Sequence, residues 1–286
     1  MKIGVALSGG GIRGIAHAGA LKAFEDCGIN IDVIGGTSSG SLVSALYAMG
    51  YSPYYIYLLC KRYSKELINV NTMPIIYGVG NYIINKTTSL KGLHSGKELE
   101  KAFNKFAFKK GIKKISDVKM PLVIPSVDIL NSKEYLFTNN IPKSEEDNDK
   151  YISNISIGKC VHASCCFPAA FSPCKYKDHL FMDGGILDNI PVHEVKKLGA
   201  DKVIALDFHS DDITENSNLM DYVMKTIDIM GKQISEKSLD ESDYILDIYT
   251  DRCGLLDTNK LDSCFQYGYD AVMNKIDEIK DVLNIQ

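Results

Sequence analysis

The chain has 286 residues, 45% of them hydrophobic and 24% charged, with 32 basic against 36 acidic side chains and a formal net charge of −4. That composition excludes a disordered or collagenous chain and predicts one or two domains with a substantial core. A balanced charge with a pI near 5.9 gives no electrostatic footprint for nucleic acid, so no nucleic-acid partner is expected.

Ile3–Leu7 is too short an apolar run for a signal-peptide core, and no run approaches the roughly 18 apolar residues of a membrane span. Eight cysteines in such a chain read as reduced thiols, and a soluble, cytoplasmic protein is expected. The same run ends in Ser8-Gly9-Gly10-Gly11, the pattern of a buried strand entering a turn. Residues 11–26 space Ile12, Ile15, Gly19 and Ala23 at helical intervals, and Gly28 closes that helix. Residues 31–34 predict a second strand and 39–49 a second helix, stopped by Gly50. Two strand–turn–helix units in fifty residues predict a mainly parallel sheet between helices, a three-layer α/β/α fold.

Ser52-Pro53 is a good N-cap and first helical position for a helix towards Leu67, after which the order loosens until about Ser95. Residues 51–95 therefore read as an insertion. An amphipathic helix is expected over 97–108, strands over 122–129 and 134–137, and a polar, acidic loop over 139–149. A strand over 175–182, a helix over 191–198 and a strand over 202–208 follow, then helix, strand and helix over 219–238, 244–249 and 263–283. With no repeat and no linker rich in Pro, Gly or Ser, residues 1–286 read most economically as one elaborated domain.

Gly9-Gly10-Gly11-Ile12-Arg13-Gly14 fits G-x-G-x-x-G between a strand and a helix. A dinucleotide site also expects an acidic residue at the carboxyl end of the second strand, but that strand ends in Gly35-Gly36-Thr37, and Asp32 lies at its start. What remains is a set of backbone amides at a helix N-terminus, able to hold an anion or a transient oxyanion. Gly36-Thr37-Ser38-Ser39-Gly40 is a G-x-S-x-G between an apolar strand and a helix, which projects the Ser38 hydroxyl from a sharp elbow. Six histidines could supply a base: His17, His94, His162, His179, His193 and His209. Of these His193 and His209 suit a Ser-acid-His order, while His17 lies inside the first helix. The stronger candidate is Asp183, at the end of an apolar strand and followed by Gly184-Gly185, where a carboxylate can approach another strand end closely and act as general base.

These three motifs resemble those of the patatin-like phospholipases, or lipid acyl hydrolases. Residues 9–14 are similar to the family's oxyanion-hole loop, 36–40 to its nucleophile elbow and 183–185 to its aspartate motif. Ile15-Ala16-His17-Ala18-Gly19-Ala20-Leu21, Ala163-Ser164 and Pro168, Phe171 and Pro173 extend the likeness. Ser39 and Ser41 stand where many bacterial members carry alanine. The resemblance implies a Ser38–Asp183 dyad that forms an acyl-enzyme from a fatty-acyl ester of a phospholipid or lysophospholipid and releases the fatty acid, without metal or cofactor. Amides of the 9–14 loop would hold the oxyanion, and Arg13 would shape the loop or meet a lipid phosphate. A catalytically silent lipid- or nucleotide-binding protein using the same glycine loop is the alternative.

Eight of the sixteen tyrosines lie between Tyr47 and Tyr82, so 51–95 suits a lid or the wall of an acyl groove, against a plain core cluster. Lys97, Lys101, Lys105 and Lys109 repeat every four residues, a basic stripe that is ordinarily just solvated but suits transient contact with a membrane surface. Cys160, Cys165, Cys166 and Cys174 with His162 and His179 lack the C-x-x-C spacing of a zinc site and read as buried thiols.

Overall fold

The computed structural model describes residues 1–68, 95–142, 148–168, 170–209, 219–251, 253 and 258–285. Its strands are β1 (Ile3–Leu7), β2 (Val33–Gly36), β3 (Leu122–Asp128), β4 (Lys133–Thr138), β5 (Tyr151–Ile152), β6 (Cys174–Tyr176), β7 (His179–Asp183), β8 (Lys202–His209) and β9 (Tyr244–Tyr249). They join one sheet in the order β5-β4-β3-β2-β1-β8-β9, with β7 on β3 and β6 on β7. The pairs β1–β2, β1–β8, β2–β3, β4–β5 and β8–β9 are parallel.

The helices are α1 (Ile15–Asp26), α2 (Ser39–Ala48), α3 (Pro53–Ile68), α4 (Lys97–Lys109), α5 (Ile157–Ser164), α6 (Val192–Lys197), α7 (Leu219–Asp240), α8 (Leu261–Met273) and α9 (Ile276–Leu283). Strand alternation divides the core into two layers. Along β1, Ile3, Val5 and Leu7 face the larger cluster with α1, α2 and α8, whereas Ala6 faces the smaller one with Val192 and Val195 of α6. The expected three-layer α/β/α architecture is the observed one. On the larger face α1 and α8 cross backbone to backbone: a Cβ on Gly19 would sit 1.9 Å from Phe265 O, and one on Gly268 1.8 Å from Ala16 O.

Some boundaries differ from the sequence expectation. Residues 11–14 form a 3₁₀ turn before α1, so the helix begins at Ile15. The single strand expected over 175–182 is a hairpin, β6–β7, because Lys177 takes a left-handed φ of 51° beside Asp178, a residue that favours turns. The helix expected over 263–283 is broken at Asn274-Lys275, beyond which Asp277 and Glu278 start α9 with acids in its first turn. Of the insertion, α3 is described and residues 69–94 lie outside the described residues, as does 143–147 in the acidic loop.

β7 is what places the site. β2 pairs with β3 only at Ile34 and Gly35 and ends at Gly36, and β7 runs antiparallel along the edge of β3 thus freed, from Ser126 to Asp128. Since β2 and β7 approach from opposite directions, their carboxyl ends meet. One ends at Gly36, two residues before Ser38, and the other at Asp183.

Candidate active site

Ser38 sits between β2 and α2 with φ 52° and ψ −121°, a strained conformation for a residue with a Cβ. The surroundings hold it there. Its N–H donates to Ser164 Oγ at 3.0 Å, and its carbonyl accepts from Ser41 Oγ at 2.6 Å and Cys165 Sγ at 3.1 Å. Thr37 is pinned on both sides, its N–H to Leu7 O at 3.1 Å and its hydroxyl to Asp188 O at 2.9 Å. Two flanking glycines let the turn close: a Cβ on Gly36 would meet Gly40 O at 2.4 Å, and one on Gly40 would meet Leu7 O at 2.5 Å. Ser41, unlike an alanine, thus adds a bond to the elbow, while the buried Ser39 Oγ has no partner.

Asp183 ends β7, 3% exposed. Its Oδ1 accepts the Gly185 N–H at 2.9 Å, and its buried Oδ2 makes no hydrogen bond of ordinary geometry. Burial pushes its pKa up from 3.8 to about 6, while the nearby Ser38 hydroxyl and the Gly185 amide pull the other way. Such a looseness between nucleophile and base is common before substrate binds.

The glycine loop lies against both. Gly9 to Ile12, Gly14, Ser38, Ser39, Asp183 and Gly185 line one cavity of about 470 Å³, the size of a lipid-tail or small-molecule site. Gly11 has φ 59°, and Gly14 packs so closely on Ser39 that a Cβ there would lie 2.5 Å from the Ser39 Cβ. Gly9 N–H is committed to Asn189, with O and Oδ1 both at 3.2 Å. Arg13 is 1% exposed; its Nε donates to Gly10 O at 3.1 Å and its guanidinium lies 5.8 Å from the Phe208 ring centre. It therefore shapes the loop, and burial keeps it from meeting a lipid phosphate. Apolar groups complete the cavity: Leu42, Val43 and Leu46 of α2, Leu59 of α3, Leu99 and Phe103 of α4, and Phe167, Pro168 and Phe171. Leu59, Cys60 and Tyr63 make the described part of the 51–95 segment a wall of this cavity.

None of the described histidines lines the cavity, and His94 lies outside the described residues. His193 Nδ1 pairs with Glu241 at 2.7 Å and His209 Nε2 with Asp247 at 2.8 Å. His17 Nε2–H donates to Ser8 O at 2.9 Å, and burial holds its pKa down at about 4, so the ring is neutral. Asp32 accepts the Ile3 N–H at 2.8 Å, at the opposite end of β1 from the glycine loop, where it cannot hold a ribose. Of the Cys/His cluster, His162 and Cys174 meet, together with Glu100, their ligand atoms within 4.8 Å of one another. Lys159 Nζ, 3.3 Å from Glu100, already supplies the positive charge there, and His179 instead binds Asp128.

Asn189 and Ser164 went unassigned in the sequence. Ser164 stands in the Ala163-Ser164 block before the aspartate motif, and Asn189 follows Asp188 as a polar residue in an otherwise apolar stretch; neither pattern states a role.

Residues 5–196 match the family described as patatin-like phospholipase. This chain belongs to that family. It is 32% identical over 212 residues to the lysophospholipase NTE1 of Candida albicans and 34% identical over 222 residues to that of Lodderomyces elongisporus. These alignments take in 73% and 77% of this chain but 13% of either relative, so the chain spans a small part of the length of the curated relatives it matches. In fold, the patatin-like chain is similar to the ExoU–SpcU complex of the Pseudomonas aeruginosa type III secretion system, with TM-score 0.54 and 17% identity over 97% of this chain and 51% of that one. It is also similar to VipD of Legionella pneumophila, with TM-score 0.53 and 15% identity over 97% of this chain and 67% of that one.

Proposed function

We propose that this chain is a serine-dependent lipid acyl hydrolase of phospholipase A or lysophospholipase type, cleaving fatty-acyl esters through Ser38 and Asp183. The supporting observation is that a serine on a strained elbow and a buried, under-bonded carboxylate share one largely apolar cavity with a glycine loop. Asp183 takes the Ser38 proton as Oγ bonds to the acyl carbon, and the oxyanion rests on the amides of Gly10 and Gly11, that of Gly9 being committed to Asn189. Collapse breaks the ester bond, and the proton passes from Asp183 to the departing alcohol. Water then attacks the acyl-enzyme, giving its proton to Asp183, and the free fatty acid leaves as Ser38 regains a proton. No step draws on a metal or cofactor. Among the described residues no helix is long and apolar enough to cross a membrane.

The test is fatty-acid release from lysophosphatidylcholine, with fluorophosphonate labelling in parallel. Wild type should release fatty acid and carry the label on Ser38; Ser38→Ala and Asp183→Asn should do neither at a measurable rate. Full activity in either variant rejects the dyad. A folded wild type that is unlabelled, inactive and saturable by lipid or nucleotide is a binding protein instead.

A further inference from the structure

The basic stripe carries more than charge. On α4, Lys97, Lys101, Lys105 and Phe108 follow one another at four, four and three residues, so they share one face. Leu99, Phe103, Phe106 and Ala107 bury the other. Phe108 is 73% exposed, more than any other large apolar side chain among the described residues. A phenyl ring left in water on the face that carries three lysines is not explained by a merely solvated face. Lys101 pairs with Glu98 at 3.0 Å, but both are largely in water and the pair holds them weakly. Lys97 and Lys105 make no ion pair among the described residues. Lys101 and Lys105 are also exposed residues that line the cavity, and so mark where it reaches the surface.

We propose that this face of α4 docks on an anionic lipid surface, Phe108 entering the headgroup layer while the lysines meet lipid phosphates, so that the cavity opens onto the leaflet it draws from. The inference rests on the lipid-hydrolase reading of the cavity. Lysine stems cover apolar surface while their ammonium groups stay at the charged layer, and an aromatic ring suits that boundary. An acidic protein surface would match the lysines but has no use for an isolated exposed ring, whereas a bilayer accommodates both.

The experiment is co-sedimentation of the full chain with phosphatidylcholine vesicles, with and without phosphatidylglycerol. Wild type should sediment with the anionic vesicles, lose them as salt rises, and leave the neutral ones largely unbound. Lys97→Glu combined with Phe108→Ser, neither residue lining the cavity, should lower partition into anionic vesicles about tenfold or more, while turnover of a short-chain p-nitrophenyl ester stays unchanged. Ser38→Ala should lose turnover and keep vesicle binding, which separates failure of the docking face from failure of the catalytic reading. Equal binding of wild type to both vesicles, or undiminished binding of the double variant, overturns the proposal, the second even if an acidic protein binds the same face.

Discussion

Two aspartates on one strand pair show how much the same side chain depends on its neighbours. β3 and β7 run antiparallel, with Asp128 facing Phe181 at one end and Asp183 facing Ser126 at the other. Both are buried, at 0% and 3% exposure. Asp128 accepts four hydrogen bonds, from Leu130 N at 3.2 Å, Leu180 N at 3.0 Å, Asn131 Nδ2 at 2.7 Å and His179 Nδ1 at 2.9 Å. Burial pushes its pKa up, but those donors together outweigh it and hold the carboxyl below its ordinary value. Asp183 accepts one amide, has an oxygen to spare, and is held at about 6. Donors as well as depth separate a carboxylate that fastens the fold from one ready to take a proton, since Asp183 lies the deeper of the two and has fewer donors.

The sharpest way to break this contrast is to neutralise each acid in turn. Asp183→Asn should lower fatty-acid release by about 10³-fold or more. The same change should leave the fold as stable or, above pH 7, steadier by about 1–3 kcal/mol, because a buried charge is removed. Asp128→Asn should do the reverse, costing about 2–3 kcal/mol in urea denaturation by leaving matched donors without their acceptor, with turnover of the folded fraction nearly unchanged. Equal effects of the two substitutions on activity would erase the distinction.

A pH titration sharpens it further. Asp183 must be ionised to accept the Ser38 proton, so turnover should fall about tenfold per unit below pH about 6. Its raised pKa means the folded chain holds that proton more tightly than the unfolded chain, so its share of stability is present at low pH and lost as pH rises through about 6. Asp128, with a lowered pKa, contributes stability above its ordinary range and loses it as pH falls. Acid should therefore silence one end of β7 by protonation without unfolding it, and loosen the other; a rate profile flat from pH 5 to 8 would be incompatible with Asp183 as the base.

Sequence patterns carried the strands, the elbow and the aspartate because each rests on local chemistry: apolar runs, glycines where backbones close up, an acid at a strand end. They did not carry the direction of β7, since a short apolar strand reads the same parallel or antiparallel; that direction brings its carboxyl end to Ser38. Nor could they place Ser164 or Asn189, 126 and 180 positions from their partners Ser38 and Gly9. Arg13, which the sequence leaves between shaping the loop and meeting a lipid phosphate, is undecided there for a different reason. An arginine in a loop is usually solvated, and the Phe208 ring and the Gly10 carbonyl, met after folding, are among the partners that go with its burial. Ser164→Ala, which removes the acceptor of the Ser38 N–H while leaving the dyad in place, should lower turnover about five- to tenfold with little change in the pH midpoint.

The smallest expected effect is at His179. Its Nδ1 donates to Asp128, its ring lies 4.6 Å from that of Tyr135, and its side chain is 23% exposed, so water can replace part of what it gives. His179→Ala removes one donor of four, leaves the backbone amides of Leu130 and Leu180 in place, and should cost about 1 kcal/mol. Turnover of the folded fraction at Asp183 should not change. If His179→Ala moved the activity midpoint instead, the two ends of the β3–β7 pair would be electrostatically coupled, and the separation between a fastening acid and a reacting one would be a matter of degree along that pair.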